Sequence, residues 1–167
     1  MSHSSTVLAQ LLKLVPRHEF QSLSKEHHAG QRLRKTNRWD QFTALFMAQL
    51  SGRQSLRDIE ACLRAHPTKL YHLGLRSAVA RNTLANANAV RDWRIYADFA
   101  QSLIGIARPL YVDEPFGVDL KDTVYALDAT TIDLCLSVFP WAPFQRSKGA
   151  IRLHTLLDLR GNIPTFI

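Results

Sequence analysis

The sequence predicts a mainly α N-terminal region followed by the first β-strands of an incomplete α/β domain. Three observations predict it. Apolar residues recur at helical spacing as far as about residue 108, and beyond residue 122 the spacing becomes two. Between these stretches, Pro109, Pro115 and Gly117 sit among Asp113, Glu114 and Asp119, a composition that suits a connection. The division expected is a helical, basic region at 1–108, a linker at 109–121 and a strand region at 122–167. Apolar residues make up 46% and charged residues 21%, which is core-forming rather than disordered composition.

Ser4, Ser5 and Thr6 offer N-caps to a first helix with Val7, Leu8, Leu11, Leu12 and Val15 on one face, and Pro16 stops it. A second short helix is expected from about Arg17 to His27. The segment 30–38 shows no apolar period and carries Arg32, Arg34, Lys35 and Arg38. It reads either as an arm along a phosphate backbone or as a solvated charged linker. Thr36 or Asn37 caps the next helix, whose apolar positions are Trp39, Phe42, Leu45, Phe46, Ala48 and Leu50, with Gly52 as its C-cap. Ser55 opens another, with Leu56, Ile59, Cys62 and Leu63 on one face and Arg53, Arg57 and Arg64 elsewhere, ended by Pro67.

Ser77 is the expected cap of a helix at about 77–90 that packs through Val79, Ala80, Leu84 and Ala87. Its other face presents Arg81, Asn82, Thr83, Asn86 and Asn88. Arg, Asn and Thr are side chains that reach base edges and phosphates. Helices at 54–65 and 77–90, with Arg76 before the second, suggest a helix-turn-helix, although the connection is longer than usual; an ordinary helical hairpin fits as well. A long helix from about Ala89 to Arg108 would bury Trp93, Tyr96, Ala97, Ala100, Leu103, Ile104 and Ala107.

The net charge is +7, and it is unevenly placed. Residues 1–91 hold 14 Lys+Arg against 5 Asp+Glu, whereas residues 92–120 hold 2 against 5. A positive excess confined to one stretch suits a polyanion, because each phosphate contacted releases counterions; a solvated basic surface is the plainer alternative. Cys62 and Cys135 lack metal-ligand spacing and read as buried thiols in a reducing cytosol. The run Val7–Val15, interrupted by Gln10 and Lys13, is neither a signal peptide nor a membrane span.

Strands are expected at 123–128, at 150–157 and from Ile163, with a turn at 158–162. In the second, Ile151, Leu153, Thr155 and Leu157 share one face, and Arg152, His154 and Leu156 the other. The chain stops inside the third strand without a polar tail, which leads to the expectation of a truncated domain. Asp128 closes the first strand. A carboxylate there reads either as a turn residue or as a ligand to Mg²⁺, which commonly takes one or two protein carboxylates and completes its shell with water and phosphate.

The run Tyr125-Ala-Leu-Asp128-Ala-Thr-Thr-Ile-Asp-Leu-Cys-Leu-Ser-Val-Phe-Pro-Trp-Ala, followed by Lys148-Gly-Ala-Ile-Arg-Leu-His154, resembles the start of the catalytic domain in DDE transposases of the insertion-sequence type-four group. His3-Ser-Ser-Thr-Val-Leu-Ala-Gln-Leu-Leu-Lys-Leu-Val-Pro-Arg17 and Ser51-Gly-Arg-Gln-Ser-Leu-Arg-Asp-Ile59 resemble the N-terminal domain that precedes it in one branch of that group.

The resemblance implies a ribonuclease-H-like fold for the strand region, with Asp128 on the first strand and the next two antiparallel beside it. Asp128 matches the first acidic residue of the Asp-Asp-Glu triad and is both catalytic residue and metal ligand. The family's other two acidic residues have no counterpart here. Asp133, five residues on, has room to approach the site, and Asp158 reads as a turn residue. The strand bearing Asp128 should be an exposed edge.

The implied cofactor of the intact enzyme is Mg²⁺ or Mn²⁺. The implied partners are double-stranded DNA at the element ends and a second copy of the chain. The implied setting is bacterial cytoplasm at the nucleoid, with no membrane. The implied activity is cut-and-paste transposition, with two metals clamping the attacking and leaving oxygens. With one carboxylate of three, this chain alone is expected to be inactive. The DNA-contacting candidates are Arg32, Arg34, Lys35, Arg38, Arg53, Arg57, Arg76, Arg81, Asn82 and Lys148. For Lys148, Arg152 and His154 a solvated surface fits equally. The alternative function is a non-catalytic DNA-binding module that inhibits transposition.

Overall fold

The computed structural model describes residues 6–27, 36–111, 113, 124–134, 143–145, 148–159, 161 and 163–166; for Leu134, Phe144, Gln145, Lys148 and Phe166 it describes the backbone alone. A helical part precedes a small antiparallel sheet, as the change of period predicts. The chain divides into two compact units, residues 1–99 and residues 100–167.

The first unit contains α1 (Val7–Leu14), α2 (Arg17–Glu26), α3 (Arg38–Leu50), α4 (Leu56–Ala65), the single turn α5 (Pro67–Leu70), a 3₁₀ turn (Tyr71–Leu73), α6 (Arg81–Val90) and the start of α7 (Arg94–Ala107). Local chemistry fixes the helix ends. The Thr6 hydroxyl accepts from the Ala9 N–H, and the Ser55 hydroxyl accepts from the Asp58 N–H. Asn37 and Asp40 form a reciprocal capping box at the start of α3.

Two glycines then turn the chain out of helices. At Gly52 (φ +63°), the Gly52 N–H donates to the Gln49 carbonyl and the Arg53 N–H to that of Ala48. At Gly74 (φ +73°), the Gly74 N–H donates to Tyr71 and the Leu75 N–H to Leu70. Both are Schellman caps, which need a left-handed residue. At the second, Leu70 and Leu75 are also buried in the core, the apolar contact that accompanies such a cap.

Two packed clusters hold this unit together. One gathers Ala9 of α1, Ala44, Met47 and Ala48 of α3, Ile59 and Leu63 of α4, Leu70, Leu73, Leu75 and Val79 of the connection, and Leu84 of α6. The other is aromatic and centres on Phe20, whose ring lies 5.4 Å from Trp39, 5.0 Å from Phe42 and 5.2 Å from Phe99. Burying a side chain of this size contributes about 1.5–3 kcal/mol. A polar clamp ties α6 to the start of α3. Arg91 donates to Gln41 Oε1 (2.7 Å) and to the Asn37 carbonyl (3.1 Å), and Gln41 donates to Asn88 Oδ1 (2.6 Å).

Three helical expectations need correction. α6 begins at Arg81, not at Ser77, and Ala80 caps it without a side-chain bond. Val79 is buried in the core, which holds this stretch extended before the helix starts. α7 begins at Arg94, where Asp92 Oδ1 accepts from the Arg94 N–H at 2.9 Å. Its fully buried residues are Ile95 and Phe99, which the expected stripe omits; Trp93 stays 67% exposed, and the rest of that stripe is half-buried.

The second unit carries the end of α7, a 3₁₀ turn (Arg108–Tyr111) and four strands: β1 (Tyr125–Leu134), β2 (Pro143–Gln145), β3 (Lys148–Asp158) and β4 (Ile163–Phe166). β3 is central. β1 pairs along its whole length on one edge, and β2 and β4 pair at opposite ends of the other, all antiparallel. Among the described residues β1 pairs with β3 alone, so the Asp128 strand is an edge, as expected. β2 is an addition to the strands read from sequence. Gly161 (φ +81°) turns β3 towards β4, and a Cβ there would lie 2.6 Å from the Tyr111 side chain. No helix among the described residues is long and apolar enough to cross a membrane.

Candidate functional site

The candidate DNA-contacting residues fall into three groups. Arg32, Arg34 and Lys35, and the side chain of Lys148, lie outside the described residues. Arg53, Arg57, Arg76, Arg81 and Asn82 are exposed. Arg38 is buried at 7% exposure in the first turn of α3, and desolvation pulls its guanidinium below the usual arginine range. It is therefore not part of an exposed arm. The polar clamp beside it explains why, since Arg91 closes the same helix end by bonding to the Asn37 carbonyl. Desolvation, and then the charge of Arg38, lower the guanidinium of Arg91 too.

The exposed group is concentrated around α4 and α6, which pack against each other. Arg53 precedes α4, Arg57 lies in its first turn, Arg76 precedes α6, and Arg81 opens that helix. Among the described residues the side chain of none of these four forms a hydrogen bond or an ion pair. Arg64 differs: it bonds Glu60 at 2.7 Å along α4. A cation in the first turn of a helix opposes the helix dipole, so Arg57 and Arg81 gain nothing locally from their positions. Such placement favours an external anion. The connection between α4 and α6 contains α5 and a 3₁₀ turn, so the pair is a helical hairpin with a structured connection rather than a tight helix-turn-helix.

Arg17, Ser24, Lys25, Arg38 and Trp39 border a cleft of about 470 Å³ between α2 and the start of α3. The Arg17 guanidinium lies 5.2 Å above the Trp39 ring, a cation–π contact. This side of α2 is not among the candidates read from the sequence. Its signal is the polar spacing Arg17, Gln21, Ser24, Lys25 on one helical face.

In the second unit Asp128 is the fourth residue of β1 and not its end, because Ala129 to Leu134 continue the strand. Its side chain is exposed, with the Thr130 hydroxyl 3.4 Å away. The register decides which groups share its face. Asp128 stands opposite Thr155, between the pairs Ala126–Leu157 and Thr130–Leu153. Side chains alternate along a strand, so Asp133, opposite Ala150, points to the other face about 16 Å along the strand. Asp133 cannot approach Asp128. Asp158, opposite Tyr125, is also on the other face, and the Arg108 guanidinium lies 3.7 Å from its carboxylate. Among the described residues no three His, Cys, Asp or Glu side chains form a group that would hold a metal. Cys62 is half-buried with its Sγ 3.7 Å from Met47 Sδ, and Cys135 lies outside the described residues.

Residues 3–76 match the family model of a domain of unknown function, DUF4372. This domain is found at the N-terminus of transposase-like proteins. The DUF4372 match covers α1 to α5, the Phe20–Trp39 cluster, the cleft beside it, and Arg53, Arg57 and Arg76; it ends before Arg81 and before the sheet. No curated protein and no solved structure matches the chain.

Proposed function

We propose that this chain is the N-terminal part of a cut-and-paste DNA transposase whose helical unit binds double-stranded DNA at the element ends. The observation that carries the reading is the set of four exposed arginines, Arg53, Arg57, Arg76 and Arg81, whose side chains have no hydrogen-bond or ion-pair partner among the described residues. The excess of 14 basic over 5 acidic residues in 1–91 supports it, as does the DUF4372 match. Each phosphate neutralised by such a side chain releases a counterion, which drives association at low salt.

Asp128 enters as the first of the carboxylates that hold Mg²⁺ or Mn²⁺ in the intact enzyme. One exposed carboxylate with a hydroxyl at 3.4 Å does not make a two-metal centre, and Asp133 and Asp158 occupy the opposite face. Among the described residues the carboxylates therefore do not suffice for the metal pair, and catalysis belongs to a complete acidic triad. Purified chain with Mg²⁺ should leave plasmid DNA intact. Cleavage abolished by Asp128→Asn would overturn that assignment. The lone carboxylate favours a second reading, a DNA-binding module that occupies element ends without cutting.

The test is the affinity for a labelled duplex across a salt series, read by anisotropy. The logarithm of affinity should fall linearly with the logarithm of salt, and Arg57→Gln and Arg81→Gln should each reduce the slope by about one. Absence of duplex binding at low salt would refute the DNA-binding reading.

A further inference from the structure

We infer that the cleft between α2 and the start of α3 is a phosphate-binding pocket, a site separate from the exposed arginines of α4 and α6. The inference deepens the DNA-binding reading and rests on it only for the source of the phosphate. Three observations converge on the cleft. Arg17, Lys25 and Arg38 bring three cations to it, and among the described residues no carboxylate lines it. Of the acidic residues beside the lining in sequence, Glu19 and Glu26 do not line the cleft, and Asp40 is turned to the Asn37 N–H at 2.9 Å in the capping box.

Ser24 is the second observation. It is 8% exposed, and its hydroxyl is buried with no hydrogen-bond partner among the described residues. A buried hydroxyl without a partner is costly in a folded protein, and a site that awaits a ligand oxygen accounts for it. The charged side chains that share the lining are all cations, so the ligand oxygen is anionic.

The third is the shape around Arg17 and Trp39. A second cleft of about 470 Å³, bordered by Lys13, Tyr71 and His72, shares both residues with the first. It too is free of carboxylates among the described residues. Two cationic clefts adjoining at one Arg–Trp pair fit successive phosphates of a chain better than one isolated ion. Arg17 is held over the indole at 5.2 Å, which pre-orients the guanidinium fork for a tetrahedral oxyanion. The phosphate is either a phosphodiester of DNA or a free phosphate group, and the two sources are separable.

The experiment uses the full chain with Ser24→Ala and Lys25→Gln, measuring duplex affinity across salt. A second arm measures the melting temperature in inorganic phosphate and in chloride of equal ionic strength. Ser24→Ala should weaken the duplex about threefold to tenfold while its melting temperature stays equal or rises, because the unpaired hydroxyl is gone. Lys25→Gln should lower the salt slope by about one. Those results identify a backbone phosphate. A phosphate-specific rise in melting temperature that both variants lose, with duplex affinity unchanged, identifies a free phosphate as the ligand. Variants indistinguishable from wild type in both arms would overturn the pocket. That outcome is distinct from failure of the DNA reading, in which wild type itself binds no duplex and the phosphate arm still reports on the cleft.

Discussion

The two units of this chain are built by different means. The helical unit has a closely packed interior: Ala44 and Leu84 are fully inaccessible, Phe20 and Ile95 are at 1%, and Leu63 and Phe99 at 2%. In the sheet unit the buried hydrophobics among the described residues are Ala150 and Ile163, while Leu127 is 72% exposed and Tyr125 47%. The first is held by packing, the second mainly by the backbone ladder between β1 and β3. A sheet gains independent stability from three or more strands with a hydrophobic face, or from packing against a helix. The difference assigns roles. The helical unit can present arginines to a partner on a rigid frame, whereas the sheet unit offers Asp128 on an open edge strand.

The largest effect expected from this contrast is in the cores. Leu84→Ala should destabilise the helical unit by about 2–5 kcal/mol, because the cavity left in a packed interior does not collapse fully. Leu127→Ala, removing an exposed side chain, should stay within about 0.5 kcal/mol. Urea melts of the two variants check both, and equal losses would erase the distinction.

The next effect is alkaline. Burial pushes the Tyr96 phenol up to about 12, against the lowering pull of Arg91 and Arg38. A group whose folded pKa is raised contributes stability that is complete below its unfolded value, about 10, and is lost as pH rises through the folded value. Stability of the helical unit should thus fall by about 2–3 kcal/mol between pH 10 and 12. Tyr96→Phe should abolish that limb in melts followed against pH.

The turns give a smaller contrast. Gly161→Ala meets both a positive φ and the Tyr111 side chain at 2.6 Å, and should cost the sheet unit about 1–3 kcal/mol. Gly52→Ala has the same backbone demand but nothing within 4 Å, and should cost the helical unit about 1 kcal/mol. Thermal melts that reverse this order would contradict the placement of Tyr111. Smallest of all, Asp128→Asn should leave both the melting temperature and duplex affinity unchanged, since the carboxylate is exposed and the arginines proposed to contact DNA lie in the other unit.

Much of the helical unit was legible in the sequence because its signals are local. The cap at Thr36 or Asn37, the Ser55 cap and Gly52 mark ends whatever the rest of the chain does. Ser77 shows where that fails. It has the chemistry of a cap, but burial of Val79 in the core outweighs it and delays α6 to Arg81. In α7 the apolar spacing predicts a stripe that starts at Trp93, yet Trp93 is exposed and Phe20 on α2 packs against Phe99, a contact no local pattern reveals.

Asp128 was legible as a residue but not in its setting. Thr130, Thr131 and Ile132 are strand formers without a turn signal, so β1 runs on and leaves the carboxylate inside the strand. Its isolation from Asp133 and Asp158 emerges only from the β1–β3 register. The Ser24 cleft stayed unread because an unpaired hydroxyl is a tertiary fact.

The central claim, that the helical unit is the DNA-binding body, is tested most directly by amide hydrogen exchange on the full chain with and without duplex. The account predicts slow exchange in α3, α4 and α6 and faster exchange in β1 and β4 of the free protein. On adding duplex it predicts further slowing confined to the helical unit, around residues 53–58 and 76–82. Slowing confined to the sheet unit, or none at a duplex concentration that saturates binding, would contradict it.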